Sequence, residues 1–256
     1  MIKETIISVR KLKFKYKVET TENKYSFSEE TIIKYSLFKG REITKEELEL
    51  ILAEECQNSL INKVINYLSY QARSTSEIRK YLIQDEASED IVEAIIEKIS
   101  NLGYLDDEGL ANSIFDYVVR SRKGPKVLEQ KLIQKDIDED LINSTIRKYN
   151  EEIEVQVVNE LLENILPRYK TYPKKKQKML VYQKLLRDGF SGEIINFYLN
   201  RANFVDESDE DLIRDLKKLQ KRYEYVDYKT KQSIINKLMN KGYEYSKIIE
   251  CINKVE

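Results

Sequence analysis

Histidine is absent from this 256-residue sequence. With it go the usual general base, the commonest metal ligand and every arrangement that pairs a serine or cysteine with an imidazole. Cysteine is nearly absent: Cys56 and Cys251 each stand among apolar residues at helical spacing (Leu52 with Cys56; Ile248 and Ile252 with Cys251), where a small hydrophobe fits. Two such residues make no disulfide framework, so a reducing, cytoplasmic setting is expected. Glycine and proline number only 7 and 3. All-β folds spend such residues on turns, so their scarcity favours long helices. The glycines are also too scattered for a phosphate-binding loop. No apolar run approaches the ~20 residues that cross a bilayer, and Met1-Ile2-Lys3-Glu4 does not read as a signal peptide. No membrane association, cofactor or metal is expected, and an enzyme is the least favoured class because no residue set offers a nucleophile with its base.

What the sequence has in abundance is charge, at 35%, beside 41% hydrophobic residues. That balance describes a polar, folded protein, long enough for one large domain or two smaller ones. The 44 basic and 45 acidic residues nearly cancel, so any contact with nucleic acid must come from local patches.

The start of the chain differs from the rest. Lys11 to Glu19 alternates polar and apolar residues, which predicts a strand with Leu12, Phe14, Tyr16 and Val18 on one face and Lys11, Lys13, Lys15 and Lys17 on the other. A second strand is expected around Tyr25 and Phe27, across a turn at Thr21–Asn23. Ser28 reads as the N-cap of a helix that opens with Glu29 and Glu30 and closes at Gly40.

From Thr44 onward only helix signals are found. Thr44-x-x-Glu47 and Ser74-x-x-Glu77 have capping-box spacing, and Asp106, Asp138, Ser191 and Ser208 each precede amphipathic runs. Four segments align without gaps, beginning at Leu82, Leu132, Leu185 and Leu238, roughly fifty residues apart. Each leucine belongs to the end of one helix. Ala87, Ile137, Phe190 or Tyr243 follows five residues later in a turn, and the next helix buries Ile91/Val92, Leu141/Ile142, Ile194/Ile195 or Ile248. A further helix precedes each pair, near 46–70, 107–122, 151–166 and 208–224. The expected fold is mainly α: a β-hairpin-plus-helix segment over 1–43, then an elongated array of tandem three-helix repeats over 44–105, 106–150, 151–204 and 205–256. One such unit is too small to bury its apolar face alone, so neighbours must stack.

Between Tyr67 and Leu132 the pattern becomes specific. Tyr67-Leu-Ser-Tyr-Gln-Ala-Arg-Ser is followed by Ser76-Glu-Ile-Arg-Lys-Tyr-Leu, then Gly103-Tyr-Leu-Asp-Asp-Glu-Gly-Leu-Ala and Lys123-Gly-Pro-Lys-Val-Leu-Glu-Gln-Lys-Leu. This resembles the RecX family of regulators of the RecA recombinase, over almost the whole chain. The resemblance implies a non-enzymatic, monomeric protein of DNA repair, homologous recombination and the SOS response. It would lie in the groove of the RecA–DNA filament, restrain filament growth or promote disassembly, and so damp ATP hydrolysis and strand exchange. Single- or double-stranded DNA is a further candidate partner. One departure is visible: the family often has glycine in the turn between the second and third helices, and Gly189 and Gly242 fit, but Glu86 and Asp136 stand there in the first two repeats.

Basic clusters are the candidate contact sites. Arg120, Arg122, Lys123 and Lys126 flank the Gly124-Pro125 break, where cations can meet phosphates or an acidic groove or simply answer a helix dipole. Lys174, Lys175, Lys176 and Lys178 open a helix, where the dipole disfavours positive charge; a partner and a solvated face both explain them. Arg73 and Arg79 flank the Ser74 cap and can reach a partner. Lys217, Lys218, Lys221 and Arg222 end a helix that starts with Asp209, Glu210 and Asp211, as the macrodipole rewards, so the structural explanation wins there. The strand lysines are read as solvent-facing guards against edge pairing, with DNA contact as the lesser alternative. The tyrosines, among them Tyr81, Tyr104, Tyr198 and Tyr243, are read as packing residues rather than base-stacking platforms. Asp106-Asp107-Glu108 and Asp206-Glu207-Ser208-Asp209 are read as helix caps, since neither has calcium-loop spacing.

Overall fold

The computed structural model of the chain describes residues 3–205, 209–223 and 228–255. These fall into two compact units. The first holds the described residues up to Leu110 together with Lys135–Ile137; the second holds Ala111–Gln134 and the described residues from Asp138 on.

The first unit begins with a four-stranded antiparallel sheet ordered β3-β2-β1-β4. Its strands are β1 (Lys3–Lys11), β2 (Tyr16–Thr20), β3 (Lys24–Phe27) and β4 (Glu42–Thr44). Strands β1 and β4 were not anticipated, and the expected single strand from Lys11 to Glu19 is broken. Lys11 is the last residue of β1, and the chain reverses over Leu12–Lys15 before β2. The alternation continues through the reversal, so periodicity alone could not locate it. The consequence is that Leu12 and Phe14 do not share a buried face with Val18; both are exposed. The β2–β3 turn lies where the sequence put it, with Thr20 N–H donating to Asn23.

Helix α1 (Glu29–Lys34) has Ser28 as its N-cap. It closes four residues earlier than expected: Ser36, at φ 49°, takes the left-handed position, and Gly40 (φ 89°) serves the turn into β4. Beneath the sheet, Ile6, Val18, Phe27, Leu37 and Ile43 pack against Leu48 and Ile51 from the first half of α2 (Lys45–Tyr70). The second half of α2 turns Leu60, Ile61 and Val64 into a different core, shared with α3 (Thr75–Gln84) and α4 (Glu89–Asn101). One 26-residue helix therefore joins two cores. On its inward face stands Glu55, while Cys56, one residue on, is exposed. The expected burial of Cys56 fails because a helix step of about 100° turns neighbours apart. Cys251 is buried.

The helices that follow are α5 (Asp107–Arg120), α6 (Pro125–Gln134), α7 (Glu139–Arg147), α8 (Glu151–Tyr169), α9 (Lys174–Arg187), α10 (Gly192–Arg201), α11 (Asp209–Tyr223), α12 (Tyr228–Lys241) and α13 (Tyr245–Val255). In the second unit α8, α9 and α10 enclose a core of Val157, Val158, Leu161, Leu162, Val181, Leu185, Phe190 and Ile195. Leu212, Leu216, Ile234, Leu238, Tyr243, Ile248 and Ile252 form another among α11, α12 and α13. Ser74 closes a complete capping box with Glu77; at Thr44 only the Glu47 N–H is accepted, the Glu47 carboxylate pairing instead with Arg41. Asp138 and Ser191 cap α7 and α10, and Asp106 caps the Gly109 N–H. Asp206, Glu207 and Ser208 lie outside the described residues. Of the tyrosines expected to pack, Tyr198 and Tyr243 are buried and Tyr81 is partly so, but Tyr104 is half exposed.

The repeated leucines acquire a physical reason here. The carbonyls of Leu82, Leu185 and Leu238 accept the N–H of the residue five positions on (Ala87, Phe190, Tyr243), and the intervening N–H bonds back to the next carbonyl. This is a Schellman termination, which also packs the first and last residues of the loop together. The residue between must have a positive φ, and all four turns obey: Glu86 61°, Asp136 50°, Gly189 94° and Gly242 108°. The non-glycine residues of the first two turns thus adopt the same left-handed geometry.

Candidate partner interface

The Arg120–Lys126 cluster is built on the end of α5. Arg122 occupies a left-handed position (φ 54°), with its N–H donating to Val119 and the Lys123 N–H to Val118. That reversal brings two cations to carboxylates of later helices. Arg122 Nε donates to Glu160 Oε2 at 3.0 Å. The Gln156 amide first, and after it the Arg122 guanidinium, outweigh the cost of burial and hold Glu160 below the usual carboxylate range. Lys123 Nζ donates to Asp188 Oδ1 at 2.6 Å, and Lys184 binds the other oxygen. Asp188 is 1% exposed, so its charge stands on these two lysines. The Tyr149 hydroxyl closes the junction by donating to the Lys123 carbonyl at 2.9 Å; burial, then the charge of Glu154, pushes that phenol above its ordinary range.

Backbone fits backbone at the same point. Gly124 N–H donates to Asp188 O at 2.7 Å and Lys126 N–H to Gly189 O at 3.2 Å. A Cβ on Gly124 would lie 2.6 Å from the Gly189 carbonyl carbon. The turn after α9 is therefore seated on the break between α5 and α6. The arrangement recurs where the Gly242 turn meets the start of α9, a Cβ on Gly242 falling 2.8 Å from Lys176 Cβ. Within the first unit, Lys135 reaches the Ala72 carbonyl and Glu77, and Asp136 pairs with Lys80 at 2.7 Å. Three times, a left-handed turn sits on the entry to a second helix.

These seats give the candidate cations different surroundings. Arg122 and Lys123 are paired to Glu160 and Asp188. Lys176 is half-buried under the Gly242 turn, and Lys174 is half-buried. Arg73 stacks on Tyr67 at 3.6 Å and reaches Glu77, and Arg79 grips both oxygens of Glu93. Arg120, Lys126, Lys175 and Lys178 are exposed. Arg120 Nε donates to the Asp116 carbonyl of its own helix, and Lys178 lies over Phe204 at 5.7 Å. Among the described residues, Lys126 and Lys175 make no ion pair. Sequence reasoning missed Asp188 and Glu77 as anchors: Asp188 is buried and Glu77 partly so, and such a carboxylate looks like a surface one until its neighbours are known.

A family model described as "RecX, first three-helix domain" matches residues 61–98, the span from the second half of α2 through α3 into α4. A regulatory protein RecX of Staphylococcus carnosus is 33% identical, over 86% of this chain and 84% of its own. The chain belongs to the RecX family. The RecX regulatory protein of Listeria welshimeri is 30% identical over 100% of this chain and 97% of its own. A crystal structure of regulatory protein RecX matches with a TM-score of 0.58 at 26% identity, covering 78% of this chain and 100% of that one. RecX from Lactobacillus salivarius matches at 0.51 and 29%, over 57% and 95%. The resemblance read between Tyr67 and Leu132 thus holds, and the chain is a helical member of a family of regulatory proteins. Among the described residues no helix is long and apolar enough to cross a membrane.

Proposed function

We propose that this chain is a cytoplasmic, non-enzymatic regulator of the RecA recombinase, binding the RecA–DNA filament and inhibiting its ATPase, extension and strand exchange. The observation that carries this is its similarity to RecX regulatory proteins from end to end. Four three-helix repeats over 44–105, 106–150, 151–204 and 205–256, following an N-terminal segment over 1–43, form the scaffold. Exposure supports Arg120, Lys126, Lys175 and Lys178 as the candidate contacts, while Arg122, Lys123 and Arg79 already have carboxylate partners within the chain. The test is ATP turnover by RecA on single-stranded DNA with increasing amounts of the protein. Turnover should fall; unaltered turnover and filament length would reject the proposal and favour a helical scaffold for another partner.

A further inference from the structure

The turn joining β1 to β2, Leu12–Lys15, contributes no residue to the buried cores, yet it has an unusual chemistry. Lys11 and Tyr16 are the last paired residues, and the Leu12 N–H donates to the Lys15 carbonyl at 2.7 Å, leaving Lys13 and Phe14 at the point of reversal. Phe14 is 84% exposed and Leu12 48%. Turn formation does not select this pair, since tight reversals favour Asn, Asp or Gly. From Arg10 to Lys17 the segment carries Arg10, Lys11, Lys13, Lys15 and Lys17 and no carboxylate, in a chain whose net charge is -1.

The base of the tip is braced. Lys11 donates to Glu29 at 3.2 Å, and Lys15 pairs with Glu55 at 3.5 Å. Tyr16 also donates to Glu29, at 2.8 Å. Arg10, Lys13 and Lys17 make no ion pair among the described residues, and the Lys13 ammonium lies 5.1 Å from the Phe14 ring centroid. A braced loop thus presents one aromatic ring with Lys13 beside it, and Arg10 and Lys17 stand opposite each other on the strands that lead to it.

We propose that this hairpin tip is a binding site for single-stranded nucleic acid, with one base stacking on Phe14 and neighbouring phosphates on Arg10, Lys13 and Lys17. An aromatic ring offers a sequence-tolerant stacking face, and cations beside it track the backbone. Duplex DNA fits less well because its bases are already stacked on one another. An anionic lipid surface fits less well because one phenylalanine and one leucine give little apolar area to insert. The inference does not rest on the recombinase proposal, and its test contains no RecA.

The experiment is fluorescence anisotropy of labelled oligo-dT, with a duplex of equal length and mixed phosphatidylserine–phosphatidylcholine vesicles as parallel arms. It compares the full chain with Phe14→Ala, Phe14→Trp and the pair Lys13→Glu/Lys17→Glu. All these side chains are exposed, and a melting curve checks that folding is retained. Phe14→Ala should weaken oligo-dT binding by roughly five-fold or more, with its salt dependence kept, and Phe14→Trp should bind at least as well as the parent. Lys13→Glu/Lys17→Glu should flatten the salt dependence by roughly 0.7 in log–log slope for each phosphate no longer neutralised. Oligo-dT affinity unmoved by Phe14→Ala would overturn the site. So would equal, Phe14-independent binding of duplex, which needs phosphate neutralisation alone, or Phe14-dependent binding confined to vesicles.

Discussion

Glu86 and Glu55 show how much a single residue's setting decides. Glu86 stands at φ 61° in a turn where Gly189 and Gly242 serve elsewhere, and a left-handed conformation costs an L-residue about 1 kcal/mol that glycine avoids. Glu86→Gly should therefore raise stability by about 0.5–1 kcal/mol, seen as a higher urea midpoint with an unchanged slope. Asp136→Gly should gain less, because it gives up the ion pair to Lys80. Glu55 is the reverse case, a carboxylate that the fold needs charged. Burial raises its pKa, but the Thr31 hydroxyl, the Ser28 N–H and hydroxyl and the Lys15 ammonium together outweigh it and leave the group below its ordinary 4.5. With the folded value under the unfolded one, the ionised group stabilises the fold above pH 4.5 and that contribution drains away as the pH falls through the folded value. Glu55→Gln should cost roughly 1–3 kcal/mol at neutral pH and make the acid limb of a stability–pH curve shallower. An equally steep limb would show that other carboxylates set it.

At the scale of elements, the seated turn is the unit of construction. Gly124 sits against the Gly189 backbone with no room for a methyl group, so Gly124→Ala must push the turn away, costing roughly 1–3 kcal/mol as overpacking does. A melt of the variant measures this; stability equal to the parent would mean that the seat yields freely. The sequence made the helices, their caps and the repeating leucines legible, because a 3.6-residue period and a Schellman turn are local in origin. It misplaced the first hairpin because alternation between polar and apolar residues ran straight through Leu12–Lys15, and strand β4 is three residues with no pattern to read. It also ended α1 at Gly40, choosing the residue that most often turns left-handed, where Ser36 does so.

For the molecule as a whole, the distinction between cations that hold the fold and cations that face outward yields a paired prediction. Under the proposed function, charge reversal of Arg120, Lys126, Lys175 and Lys178 should weaken the protein's effect on RecA ATPase while leaving the melting temperature almost unchanged, as exposed substitutions do. Replacing Lys123 with Met should instead lower the melting temperature, because the buried Asp188 carboxylate loses one of its two lysines. Inhibition that survives the four reversals in full would remove those residues from the interface.

The sequence by itself determined that the chain is helical, where its repeating turns fall, and which family it belongs to, since all three depend on neighbours a few residues apart or on motifs read in line. Only the tertiary structure decided which of its basic residues are committed. Asp188 lies 65 positions from Lys123 and Glu160 lies 38 from Arg122, and at such separations a charge is assigned its partner by packing, which no local pattern encodes.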